Sequence, residues 1–142
     1  MSAESRRPET PPIPAGKASA TIPDAVAQAV EAAQSKKASG LCVLDLRELG
    51  TFTDAFLLCS GASARQVQAI SDAVEELLGR RGLRLWHREG YQSAEWVLLD
   101  YGSFMVHIFH ERARSFYDLE RLWRAARRID YPDASSGGAP EE

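Results

Sequence analysis

The side chains best suited to chemistry are few: histidines His87, His107 and His110, and cysteines Cys42 and Cys59. Together they could build a thiol–imidazole nucleophile or a metal site. Neither pattern closes. The histidines form no HExxH or comparable spacing, and the cysteines match no metal-ligand spacing. His107 and His110, three apart on a predicted strand, point to opposite faces. Both cysteines lie inside apolar runs, where a thiol stays protonated and inert. The chain also lacks a GxSxG elbow, a P-loop and a GxGxxG turn. One position remains. Gly61-Ala62-Ser63 follows a predicted strand and opens a helix, where backbone N–H groups could face phosphate as in nucleotidyl transfer. That reaction also needs paired carboxylates for Mg²⁺, two residues apart on a strand. Asp100 has Leu98 at that spacing, and Asp45 has Val43 and Arg47. An ordinary strand-to-helix turn capped by Ser63 explains the same residues, and no cofactor is expected.

The elements that must position these residues follow from periodicity. A helix is predicted from Asp24 to Ala38, with Thr21 and Asp24 at capping-box spacing. Strands are predicted at Leu41–Leu46 and Ala55–Cys59, and a helix from Ser63 to Leu78 on the stripe Val67, Ile70, Val74, Leu77 and Leu78. Three strands follow, at Leu83–His87, Ala94–Asp100 and Ser103–His110. A last helix is predicted from Tyr117 to Ile129, capped by Ser115, with Leu119, Leu122, Trp123 and Ala126 on one face. This is an α/β domain with a mixed sheet of about five strands flanked by helices.

The 142 residues are 44 % hydrophobic and 26 % charged, an ordinary globular balance that excludes a coiled-coil rod or a collagen-like chain. No apolar run approaches the roughly 18 residues of a membrane span. Seventeen Lys and Arg against twenty Asp and Glu give a net charge of −3, which speaks against nucleic acid as the primary partner. Residues 1–20, with Pro8, Pro11, Pro12 and Pro14, and residues 132–142, rich in Ser and Gly, read as disordered tails around a folded unit at 21–131. The first stretch has neither the apolar core of a signal peptide nor the composition of a transit peptide. Two cysteines inside apolar runs, with no metal-ligand spacing, fit a cytoplasmic location. Glu111–Tyr131 carries six basic and four acidic residues, but Asp118 and Glu120 interrupt the run, as on a solvated helix face.

With Tyr101 and Gly102 as a two-residue hairpin loop, Leu99 faces Phe104, Leu98 faces Met105, Val97 faces Val106 and Trp96 faces His107. One sheet face then carries Val97, Leu99, Phe104, Val106 and Ile108, plain core. The other carries Trp96, Leu98, Asp100, Met105 and His107. That mixture suits a docking surface with a polar rim. It equally suits a second core under a helix, so both readings stand.

Six motifs occur in order: Thr53-Asp54, Ser60-Gly61-Ala62-Ser63-Ala64-Arg65-Gln66-Val67, Glu89-Gly90, Trp96-Val97-Leu98-Leu99-Asp100-Tyr101-Gly102, Val106-His107-Ile108-Phe109, and Tyr117-Asp118-Leu119-Glu120-Arg121-Leu122-Trp123. Over about residues 22 to 124 the chain resembles the ribosomal silencing factor (Iojap-like) family. The resemblance implies a nucleotidyltransferase-like fold without its active site, and a cytosolic factor without enzymatic activity. It implies docking on ribosomal protein L-fourteen of the large subunit, which blocks joining of the small subunit and represses translation when nutrients are short. The family's docking surface includes the tryptophan of the W-V-L-L-D-Y-G block, here Trp96. Asp100, Tyr101, Met105 and His107 are carried with it on the face argument. The rival expectations are a small nucleotidyltransferase-like enzyme using Gly61, Ser63 and Asp100, and a homodimer formed through the Trp96 face.

Overall fold

The computed structural model describes residues 24–133. The expected tail at 1–20, the Thr21 cap and residues 134–142 lie outside them. Pro132 and Asp133 are held against the fold: Gln34 Nε2 donates to Pro132 O at 3.3 Å and Gly40 N to Asp133 Oδ1 at 2.9 Å.

Helix α1 (Asp24–Ser35) buries Val26, Ala29, Val30, Ala32 and Ala33, a stripe of small side chains that lets it lie close to its neighbours. It stops three residues before the expected Ala38. Lys37 turns left-handed (φ 63°) and Ala38 N reaches back to Ala33 O at 3.1 Å, closing a Schellman-type end. Strand β1 (Ser39–Asp45) and β2 (Ala55–Gly61) follow, joined through a 3-10 turn at Arg47–Leu49. Helix α2 (Ala64–Arg80) is capped by Ser63, whose Oγ accepts from Gln66 N. Next come β3 (His87–Glu89), β4 (Trp96–Asp100), β5 (Phe104–His110), two short helices, α3 (Glu111–Tyr117) and α4 (Leu119–Leu122), and β6 (Arg127–Asp130).

Among the described residues the sheet has six strands in the order β3-β4-β5-β2-β1-β6, parallel only between β2 and β5. It is mixed, as expected, with one strand more. Three corrections account for the differences. The helix predicted from Tyr117 to Ile129 is broken at Asp118, whose backbone is left-handed (φ 50°), and the chain returns as β6 antiparallel to β1. His110, not Ser115, caps the helix that precedes the break. The strand predicted at Leu83–His87 is β3, four residues on, and Leu83–Trp86 is irregular.

The hairpin register is also corrected. Asp100 pairs with Met105 and Trp96 with Phe109, so four residues rather than two separate the closing partners. Asp100 Oδ1 accepts from Gly102 N at 2.8 Å and Tyr101 N donates to Phe104 O at 3.0 Å, which tightens the longer turn. The slip is two residues, a full pleat period, so every side chain keeps its predicted face. Val97, Leu99, Phe104, Val106 and Ile108 form one core with α1 and α2. The opposite face forms a second core of Cys42, Leu44, Leu46, Phe56, Leu58 and Phe109 under Ala113 and Ala126, with Trp96, Met105, Leu119 and Trp123 half-buried at its margin. The sheet is thus covered by long helices on one side and by the short α3–α4 segment on the other.

Candidate functional site

The second face is where sequence and structure bring reactive and aromatic groups together. Trp96 enters it at the start of β4, and the residues before it fix that entry. Gly90 has φ +81°, and a Cβ there would run into the carbonyl oxygen of Trp96. Gly90 O also accepts from Ala94 N at 2.9 Å. Gly90→Ala is therefore expected to destabilise the fold by about 2–3 kcal/mol through left-handed strain plus displacement of β4, read as a lowered urea midpoint.

The Trp96 indole lies on Phe109, with centroids 5.2 Å apart and planes at 29°, and against Tyr117 of α3 at 4.7 Å. Its Nε1–H donates to His107 Nδ1 at 3.0 Å. That bond places the imidazole proton on Nε2, which is buried and has no hydrogen-bond partner. Phe56 packs edge-on to His107 at 4.5 Å, and Trp123 edge-on to Phe56 at 5.7 Å. Burial pushes the His107 pKa down to about 3, so the ring is neutral at physiological pH. His107 supports Trp96 from beneath and is only 5 % exposed.

The structure brings together Trp96, Met105 and His107 of the predicted set, with Asp100 on the same strand face at the hairpin end. Tyr101 is separate. It is buried in the α1–α2 core, stacked on Phe104 at 5.1 Å, and burial pushes its hydroxyl up to about 12. The centre of the second face is core and its margin is exposed.

Sequence reasoning missed the margin's outer part. Phe116 is 80 % exposed, Leu122 70 % and Tyr117 45 %. Leu122 is expected on a buried helix face, and the break at Asp118 turns it outward. Two adjacent aromatics in a charged stretch, Phe116-Tyr117, were the available signal.

An ion-pair network pins this margin to the sheet. Arg114, with its side chain 13 % exposed, holds Glu120 through Nε at 3.1 Å and Nη2 at 2.9 Å. Arg114 Nη1 donates to Gly40 O at 2.7 Å and Ser60 Oγ at 3.0 Å. Glu120 also meets Arg128 at 3.0 Å. The Arg114 hydrogen bond, foremost, holds the Glu120 carboxyl below its ordinary range.

The other candidate groups are engaged structurally. Burial pushes the Cys59 thiol up to about 12 and raises that of Cys42, which leaves no thiolate nucleophile at neutral pH. His110 Nδ1 accepts from Arg112 N at 3.2 Å, and His87 Nε2 meets Glu89 at 3.0 Å. At the Gly61–Ser63 turn, Ala62 N donates to Gln66 Oε1 at 2.7 Å and Gln66 N to Ser63 Oγ at 3.1 Å. Two N–H groups that a phosphate would need are thereby occupied. Among the described residues, no three His, Cys, Asp or Glu side chains stand close enough to hold a metal ion.

Known proteins resemble this chain in sequence and in fold. Residues 19–142 match the family described as ribosomal silencing factor during starvation. A relative named ribosomal silencing factor RsfS from Halalkalibacterium halodurans is 38 % identical over 102 residues, covering 72 % of this chain and 87 % of that protein. One of the same name from Bacillus subtilis is 38 % identical over 102 residues, covering 72 % and 86 %. A solved structure from Chromobacterium violaceum superposes with TM-score 0.71 at 31 % identity, covering 80 % of this chain and 95 % of that one. The matched span holds the whole six-stranded sheet and the Trp96 face, and this chain belongs to the ribosomal silencing factor family.

Proposed function

We propose that this protein silences translation by docking its Trp96 face on ribosomal protein L-fourteen of the large subunit and so blocking small-subunit joining. The observation that carries the reading is Trp96 itself. It is a half-buried indole, clamped by Phe109, Tyr117 and His107, at the edge of an exposed apolar margin. A rigid aromatic anchor loses little conformational freedom on binding, which is the profile of an interface hot spot. Met105 extends the apolar contact, while Asp100 and exposed Glu95 offer carboxylates to a basic protein surface. His107 acts through Trp96 and fixes its orientation.

No reaction is required, because bulk on the joining face is sufficient. We therefore read the protein as a cytoplasmic regulator and not an enzyme. The raised thiol pKa values speak against a cysteine nucleophile, and the self-occupied Gly61–Ser63 turn speaks against nucleotidyl transfer. Adding the protein to purified subunits is expected to shift sedimentation from joined ribosomes to free subunits, and unchanged joining overturns the proposal. A second copy of this chain is the competing occupant of the same face. Light scattering with and without large subunits separates dimer from ribosome-bound monomer.

A further inference from the structure

The acids that interrupt the arginine-rich stretch in the sequence are largely consumed in the fold. Glu120 is held by Arg114 and Arg128, and Asp130 by Arg128 at 2.9 Å. Arg121 and Arg124 stay exposed, with no ion pair among the described residues. They line an open groove of about 640 Å³ together with Phe116, Tyr117, Asp118 and Leu122. Asp118 is its one carboxylate, so the groove is cationic in a protein of net charge −3.

The groove is also aromatic. The Phe116 ring meets Tyr117 edge-on (5.1 Å, 85°) and is 80 % exposed, so it presents open ring surface to solvent. Tyr117 in turn packs on Trp96, so the groove continues the face proposed to dock on the large subunit.

We infer that this groove is a secondary RNA contact that takes a single-stranded segment of ribosomal RNA, with a base stacked on Phe116 and phosphates on Arg121 and Arg124. Free arginines beside an exposed ring are the combination that single-stranded nucleic acid uses: cations track the backbone and the ring accepts any base. An acidic protein loop would satisfy the arginines but leave the ring unused. The inference rests on the proposed docking, because only a chain already seated on the large subunit gains from so small a patch.

The test is binding of the full chain to purified large subunits across a salt series, with ultraviolet crosslinking of the bound state. The double variant Arg121→Gln/Arg124→Gln is expected to flatten the slope of log affinity against log salt by about 1.4, roughly 0.7 for each phosphate no longer neutralised. Phe116→Ala is expected to weaken binding about 5-fold or more at constant salt. Crosslinks from Phe116 or Tyr117 are expected on RNA. An unchanged slope, or crosslinks to ribosomal protein alone, overturns the RNA contact while leaving the docking proposal standing. Failure of the wild-type chain to sediment with large subunits overturns both.

Discussion

Trp96→Ala is expected to weaken large-subunit binding by about 30-fold or more, the loss typical of a central aromatic anchor. It also removes ring packing on Phe109 and Tyr117 and leaves His107 Nδ1 without its donor, so the fold should lose about 2–3 kcal/mol. Loss of binding by this variant alone therefore does not separate contact from folding. Trp96→Phe does. It keeps an aromatic ring on Phe109 and removes the indole N–H, with an expected stability cost of about 1 kcal/mol. Its binding should still fall measurably, because a phenyl ring presents less surface to the partner. Co-sedimentation titrations paired with urea unfolding give both quantities. A folded Trp96→Ala protein with wild-type affinity would remove Trp96 from the interface.

The second large effect is on pH. Burial holds the folded His107 imidazole near 3, below its ordinary 6.5. As the pH falls through 6.5 the unfolded chain takes up a proton that the folded chain refuses. The stability contributed by His107 is thus complete above 6.5 and is lost progressively towards 3. The loss is about 1.4 kcal/mol per pH unit, or about 2 kcal/mol between pH 6.5 and 5. His107→Leu removes this titration. The fall in unfolding free energy from pH 7.5 to 5.0 should be about 2 kcal/mol smaller in the variant than in the wild type. Equal falls would mean that the ring takes up its proton within the fold. Leucine also eliminates the unpartnered Nε2–H, so at pH 7.5 it should cost little despite freeing the Trp96 indole.

The division of the sheet into two faces was legible in the sequence because strand alternation is local. It survived a hairpin register wrong by two residues, since a two-residue slip restores the pleat, whereas a slip of one would have exchanged Trp96 with Val97. The end of the chain was not legible in the same way. Leu119, Leu122, Trp123 and Ala126 do have helical spacing, yet Asp118 takes a left-handed conformation and Arg127–Asp130 pairs with a strand more than eighty residues earlier. Nothing local marks that partnership, which depends on β1 offering an open edge. The candidate site was legible to the same extent. Trp96 came from the family resemblance, and alternation placed Met105 and His107 on its face. Phe116 and Leu122 became visible only once the helix was broken, and Tyr101, carried with the set on the face argument, turns its ring to the other core.

The sheet ends in two short strands: β3 is His87-Arg88-Glu89 and β6 is Arg127-Arg128-Ile129-Asp130. Six of these seven residues are ionisable, and an incoming strand would have to strip water from them to extend the ladder. Fibre-like growth by strand addition is therefore suppressed at both borders. The borders of this sheet are thereby kept from nucleating ordered assembly, even where the protein is crowded at high concentration.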